Sequence, residues 1–234
     1  PNKDDTYNDF AKLVNDFSSA ETASEYILAN KKRFKKLIGK YSENKFDEGY
    51  GFEKNFKEDF NKRNTALYSI FPFADGEGNL LREVVKYPFM IFNYSGSIKA
   101  ITTGVASNVV DKVHETLNTL SKDLKGELPK DSAKELVSFL NTAEEAGITF
   151  GVKPDLPKLK IRLNKIINTT GDPESSEING ALNFLNQLEV NEEISLESIS
   201  EILIPRFDLA LTEMLGPIKN STTQANQIAE LMFS

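Results

Sequence analysis

The sequence predicts an all-α protein, a multi-helix bundle of nine or ten helices with a long, mostly buried central helix and essentially no β-sheet. Along most of the 234 residues, apolar side chains recur every three or four positions, which is the period of one helix face. The β-like run "ITFGV" at 148–152 is too short to build a sheet. Gly and Pro residues separate the periodic segments, where they end helices.

The N-terminal part reads as a series of amphipathic helices. One helix begins after Asp4 and Asp5, and a second keeps one apolar face over five turns from Ala23 to Tyr41. A stripe of phenylalanines every four residues then marks a third helix, and such a stripe is typical of a core: Phe52, Phe56 and Phe60. The last helix of this part follows Asn79 and ends or kinks at Pro88.

The C-terminal part is divided by capping residues and prolines. A long apolar run from Ile98 to Leu124 predicts the central helix, which Gly126 closes. The final predicted helix follows Gly216 and Pro217. Four further helix starts are predicted between them, at Ser132 with Glu135 (a capping box), Asp155 with Pro157, Asp172 with Pro173, and Ser195, whose helix Pro205 interrupts.

The domain prediction is one helical body over residues 1–234. The segment "GITFGVKPDLP" at 147–157 is rich in Gly and Pro, so it is the place for a sub-boundary. The alternative, a long connection within one continuous body, is the preferred interpretation.

Composition limits the function classes. A net charge of −7 argues against a nucleic-acid partner, because phosphate binding needs a basic face; the run "KKRFKK" at 31–36 is interpreted as a solvated stripe. The chain has no cysteine, which removes disulfides, zinc–thiolate sites, iron–sulfur clusters and cysteine nucleophiles. That fits a cytoplasmic and a secreted protein alike. The first residues carry neither Met nor an apolar leader, so we expect a removed signal or a piece of a longer chain.

His114, the one histidine, is the first candidate for metal chemistry. Asp111, His114 and Glu115 share a helix face, but di-iron bundles and H-E-x-x-H zinc sites each need a second histidine. His114 is therefore interpreted as a surface histidine.

Other site motifs fail at their diagnostic positions. The run "DGEGN" at 75–79 begins like a calcium-binding EF-hand loop, but Leu80 stands where that loop needs Gly and Lys86 where it needs Glu. The sequence contains no phosphate-binding glycine motif of the P-loop or dinucleotide type. We predict no catalytic, cofactor-binding or metal-binding residue and no cofactor.

Residues 87–110 form the least charged stretch and carry a single charge, on Lys99. On a helical wheel the aliphatic residues lie on one side, and Gly96, Ala100 and Gly104 lie opposite. Small residues at this spacing let a neighbouring helix approach closely, which predicts a helix-packing surface. The alternative is a membrane segment whose aliphatic side faces lipid and whose Lys99 faces water.

Three function classes follow. The first is a non-enzymatic helical bundle, such as a bacterial secreted or effector-type domain, that acts through contact with an unidentified protein. The second is a membrane-active, pore-forming toxin component with residues 87–110 as its inserting segment. The third is an enzyme whose carboxylates are assembled only by the fold. The sequence leaves the localisation and the oligomeric state open.

Overall fold

A computed structural model describes residues 9, 20–43, 51–71, 98–122, 124–151 and 155–215. These residues form eight helices, which hold 81% of them, and no strand. The helices are α1 Ala20–Ala29, α2 Lys35–Glu43, α3 Phe52–Ile70, α4 Ile98–Lys122, α5 Lys130–Glu145, α6 Asp155–Asn168, α7 Ser175–Gln187 and α8 Glu192–Leu215. The all-α prediction is confirmed. The count of nine or ten stays a prediction, because the helices predicted after Asn79 and Pro217, and all but Asp9 of the helix predicted after Asp5, lie outside the described residues. The central place of the 98–124 helix also stays a prediction.

The core is built where α4 meets α8, the most extensive helix pair of the described fold. The aliphatic side of α4 is fully buried at Ile101, Val105 and Val109, as the sequence pattern predicts. Burying each such side chain contributes about 1.5–3 kcal/mol to the free energy of unfolding. Both helices contribute buried apolar residues to this core, and their burial holds α8 against α4.

The phenylalanine stripe of α3 forms the second part of the core. Phe52, Phe56 and Phe60 are buried, and successive ring centroids lie 6.1 and 5.9 Å apart in stacked pairs. Helix α3 packs against α1 and α5, α5 packs against α6, and α6 packs against α7. The prediction that this stripe belongs to the core is confirmed.

The helix predicted from Ala23 to Tyr41 is divided in two, so this prediction is wrong in its continuity. A turn at 30–34 separates α1 from α2. The Asn30 side chain donates to the carbonyl oxygen of Tyr26 at 2.9 Å, and the backbone N–H of Arg33 donates to the Asn30 carbonyl at 3.0 Å. An asparagine that bonds nearby backbone offers the chain an alternative to the helical ladder, which explains the break.

Two predicted helix starts are also corrected. Helix α5 begins at Lys130 and Pro129 takes the N-cap position, so Ser132 lies within the first turn rather than at the cap. Helix α8 begins at Glu192 rather than Ser195, because the side chain of Asn191 accepts the backbone N–H of Ile194 at 3.2 Å.

Pro205 does not interrupt α8. The helix runs through Pro205 to Leu215, so the predicted interruption is wrong. A proline removes one backbone donor from the ladder and crowds the preceding turn, at a cost of about 3 kcal/mol. The buried apolar residues on both sides of Pro205, among them Leu203 and Phe207, offset that cost by packing.

The β-like run at 148–152 makes an isolated bridge. Phe150 pairs with Val190 in antiparallel fashion, and the Asn191 N–H donates to the Thr149 carbonyl at 2.7 Å. The buried Ser195 hydroxyl accepts the Thr149 N–H at 2.9 Å and donates to its carbonyl at 3.2 Å. These bonds tie the α5–α6 connection to the start of α8.

Candidate functional site

A cleft of about 480 Å³ opens between the 33–37 segment, the start of α4 and the first half of α8. We call it the α4–α8 cleft. Its lining comprises Arg33, Phe34, Lys36, Leu37, Lys99, Thr103, Glu193, Leu196, Glu197, Ser200, Glu201, Ile204 and Pro205. The volume lies within the range of about 300–1,000 Å³ that is usual for ligand pockets.

The apolar part of the lining comes from both sides of the cleft. Phe34 and Leu37 are buried beneath the basic run, and the Phe34 ring meets the Tyr26 ring edge-on at 5.8 Å. Leu196 and Ile204 of α8 are half-buried and lie at the core edge. Partly accessible apolar atoms in a concave surface favour ligand binding, because the removal of apolar surface from water lowers the free energy.

Cationic side chains line the side formed by the 33–37 segment and α4. Lys36 and Lys99 are exposed, and neither forms an ion pair with another described residue. Arg33 stands beside them with its guanidinium group directed at α8. This side of the cleft therefore carries three positive charges.

Carboxylates line the opposite side, on α8. Glu193, Glu197 and Glu201 are spaced four residues apart, which places them on one helix face about 6 Å apart along the axis. The cleft thus has an apolar interior between a cationic side and an anionic side. The polar groups that its described residues supply are ammonium, guanidinium, hydroxyl and carboxylate groups.

A buried carboxylate fixes the cationic side to α8. Arg33 Nη2 donates to Asp208 Oδ1, and the Tyr26 hydroxyl donates to Asp208 Oδ2 at 2.7 Å. Burial raises the pKa of Asp208 above its usual range and outweighs the opposing effect of the two donors. Burial, followed by the nearby Asp208, also raises the pKa of Tyr26.

A second buried polar group lies two residues before Asp208 on α8. Arg206 is fully buried; its Nη1 donates to Asn64 Oδ1 at 3.1 Å, and its guanidinium carbon lies 4.6 Å from the centroid of the Tyr68 ring. Burial lowers the pKa of Arg206, although a guanidinium stays protonated in proteins. This group joins α8 to α3 and so holds the anionic side of the cleft in place.

The predicted packing residues lie on α4 as follows. Lys99 is exposed and lines the α4–α8 cleft, whereas Ala100 and Gly104 are half-buried. Gly96 lies outside the described residues, as does the run at 75–79. The helix-packing role of these residues stays a prediction.

Sequence reasoning missed most of the cleft. The four lysines of the 31–36 run are exposed, as expected of a solvated stripe, but Arg33 pairs with a buried carboxylate and Phe34 is buried. The missed signal is the presence of two charged residues, Arg206 and Asp208, inside the apolar run "ILIPRFDLALTEML". Charged residues are seldom fully buried unless each has a partner.

His114, the residue considered for metal chemistry, lies outside the α4–α8 cleft. His114 is half-exposed on α4, with its Nε2 3.5 Å from a carboxylate oxygen of Glu192. Across the described residues, no three His, Cys, Asp or Glu side chains come together as metal ligands. None of the helices described here has the length and apolar character needed to span a membrane.

Comparison with known proteins places the chain in a family. The model of the family "Bacteriophage N4 RNA polymerase, helical domain" matches residues 59–234. The chain belongs to this family. No curated protein and no solved structure matches the chain. The secreted, effector-type and toxin interpretations gain no support from this membership.

The family match also bears on the cleft and on the excluded partners. It begins within α3, so α4 and α8 lie inside it, while Arg33 and Lys36 precede it. The cleft therefore joins the matched region to a segment before it. The exclusion of nucleic acid depended on net charge alone, and it has no support in a family named for an RNA polymerase.

Proposed function

We propose that this chain is a non-catalytic helical module of an N4-type RNA polymerase, that it acts through protein–protein contact, and that the α4–α8 cleft is the contact surface. The observation that carries the proposal is the arrangement of the cleft, in which apolar side chains lie between a cationic and an anionic side. The family description supplies the polymerase context.

The two charged sides favour a polypeptide partner. A nucleic-acid backbone carries one sign of charge, and Glu193, Glu197 and Glu201 would repel its phosphates. A protein segment offers acidic, basic and aliphatic side chains together, so it can satisfy both sides and the apolar interior. Interfaces of this kind have an apolar centre and a polar rim.

We also propose that residues 1–234 act as one body. The cleft draws Lys99 from before the 147–157 segment and Glu193 from after it. The hydrogen bonds between Thr149 and Ser195 cross from that segment to α8. Separate domains would leave each half of the cleft incomplete.

The direct test measures binding between this chain and the catalytic part of the N4-type RNA polymerase encoded with it, by isothermal titration calorimetry. We expect Lys36→Glu and Glu193→Lys each to weaken binding at least tenfold, since each reverses a charge on one side of the cleft. Lys134→Glu, an exposed charge reversal on α5, is the matched control and should bind like the wild type. Wild-type affinity in both cleft variants would contradict the proposal.

Two further measurements separate the alternatives. The chain alone, given a single-stranded DNA template and four nucleoside triphosphates, should make no RNA; synthesis would contradict the non-catalytic assignment. A fluorescent single-stranded oligonucleotide tests the cleft for nucleic acid. Binding that Lys36→Glu abolishes and Glu193→Lys strengthens would replace the protein partner by a nucleic acid.

A further inference from the structure

Two isoleucines are the large apolar side chains most exposed in the described part of the fold. Ile161 on α6 is 67% exposed and Ile194 on α8 is 45% exposed. A single exposed isoleucine needs no explanation. The charged residues near Ile161 are mainly basic, whereas those near Ile194 are acidic.

Ile161 lies in a basic patch on the outer face of α6, which we define as Lys158, Ile161, Arg162 and Lys165. Lys158 and Lys165 stand three residues before and four residues after Ile161, which makes them its neighbours on the helix surface, and Arg162 follows Ile161 directly in the chain. Together with Glu177 they line a surface cavity of about 340 Å³.

The central cation of the basic patch is held in place by α7. The guanidinium carbon of Arg162 lies 4.8 Å from the centroid of the Phe184 ring, a distance suited to cation–π attraction. Gly180 leaves the space for this side chain, because a Cβ atom there would lie 2.4 Å from Arg162 Nη1. Lys165 is tethered too, with its Nζ 2.8 Å from a carboxylate oxygen of Glu177.

Ile194 lies in an acidic patch at the start of α8, which we define as Glu189, Glu192, Glu193 and Ile194. All four are exposed. Acidic residues in the first turn stabilise a helix through its dipole, and the Glu192 carboxylate also lies near the His114 ring of α4. Neither fact accounts for an isoleucine left in solvent among them.

We propose that the basic patch of one copy of this chain docks on the acidic patch of a second copy. Opposite charges would surround two apolar side chains that meet at the centre, which is the usual arrangement of an apolar core and polar rim. Because the patches differ, the contact is heterologous, and each copy keeps one patch free for a further copy. The patches are small, so association is weak and reversible.

Sedimentation velocity from about 10 µM to 1 mM tests this proposal, since weak complexes have dissociation constants in the upper part of this range. We expect the weight-average sedimentation coefficient to rise with concentration, and to rise less at high salt, because salt screens the attraction between the patches. A monomer at every concentration would overturn the proposal. Association that strengthens with salt would also overturn the proposal. It would mean that salt acts by screening the repulsion between copies that each carry a net charge of −7.

Charge exchange identifies the contact. Lys158→Glu/Lys165→Glu and Glu189→Lys/Glu192→Lys should each reduce self-association at least tenfold, and an equimolar mixture of the two variants should restore it. Ile161→Ser and Ile194→Ser should each weaken it. Lys125→Glu/Lys134→Glu makes the same charge change at exposed residues on other elements and should associate like the wild type. Melting temperatures confirm that each variant folds.

None of the substituted residues lines the α4–α8 cleft, so failure here leaves the proposed polymerase contact untouched. Two results would overturn the self-association: variants that associate like the wild type, and a mixture that stays monomeric. A fluorescent single-stranded oligonucleotide that binds the wild-type monomer, and is lost with Lys158→Glu/Lys165→Glu, would assign the basic patch to nucleic acid instead.

Discussion

Arg33 and Asp208 are 175 residues apart in the chain, and the guanidinium group of the first donates to the carboxylate of the second. The Arg33 side chain is 44% exposed, whereas that of Asp208 is 2% exposed. A carboxylate removed from water in this way needs donors to offset its lost hydration. The pair therefore ties the turn between α1 and α2 to α8, and with it the cationic side of the cleft to the anionic side.

Arg33→Ala should lower the free energy of unfolding by about 1.5–3 kcal/mol, the range for a hydrogen bond to a charged group. The loss has a physical origin, because Asp208 stays buried with Tyr26 as its remaining donor in the described structure. Urea denaturation at pH 7 measures it. Lys32→Ala, at the exposed neighbouring position, is the control and should change stability by less than about 0.5 kcal/mol. Equal stabilities of the two variants would show that the pair contributes nothing.

The contribution of Asp208 to stability should fall as the pH rises, which is opposite to that of a carboxylate whose pKa is lowered by folding. The pKa of Asp208 is raised in the folded state, so the folded protein binds more protons than the unfolded chain above the unfolded pKa of about 3.9. Stability from this group is complete below that pH and is lost as the pH rises through the folded pKa.

Asp208→Asn removes this titration. We expect wild-type stability, relative to that of the variant, to fall as the pH rises from about 4, the unfolded pKa of Asp. Urea denaturation at half-unit pH steps, with the variant as the reference for all other carboxylates, gives the difference. A difference that grows in favour of the wild type over this range would mean that the donors Tyr26 and Arg33 outweigh burial.

Gly147 should tolerate alanine less well than Gly126 does. Both have positive φ, 102° and 80° respectively, so a Cβ atom is strained at either position. At Gly147 that atom would also lie 3.1 Å from Ser198 Cβ, whereas nothing lies within 4 Å at Gly126. We expect Gly147→Ala to cost about 1–3 kcal/mol more than Gly126→Ala, the range for overpacking a tight site. Thermal unfolding compares the two, and equal losses would leave backbone strain as the whole effect.

The sequence predicted the helical class and much of the core because both depend on local periodicity. The stripe at Phe52, Phe56 and Phe60 and the aliphatic side of α4 were readable one helix at a time. Helix boundaries were harder to predict. Asn30 and Asn191 decide two of them through side-chain bonds to nearby backbone, and a pattern of apolar spacing carries no information on such bonds.

The cleft could not be predicted, because it depends on which helices pack together. Its cationic side comes from residues 33–36 and Lys99, and its anionic side lies about a hundred residues after Lys99 on α8. Each group alone is an ordinary solvated charge. The two groups become the two sides of one site because Asp208, which is buried within α8, pairs with Arg33. That pair holds the turn that contains Arg33 against α8.

Gly104→Leu tests the predicted packing role of the small residues on α4. Gly104 is half-buried in this helix, and Ser107, three residues later, is exposed. If a neighbouring helix approaches Gly104 closely, leucine there should cost at least about 1–3 kcal/mol by overpacking. Ser107→Leu, on the same helix, should be neutral or slightly stabilising, because leucine is the better helix former. Thermal unfolding of both variants gives the comparison. A melting temperature that holds or rises in Gly104→Leu would show that helix propensity wins at this position, and the small side of α4 would then be a surface open to a partner rather than a packed one.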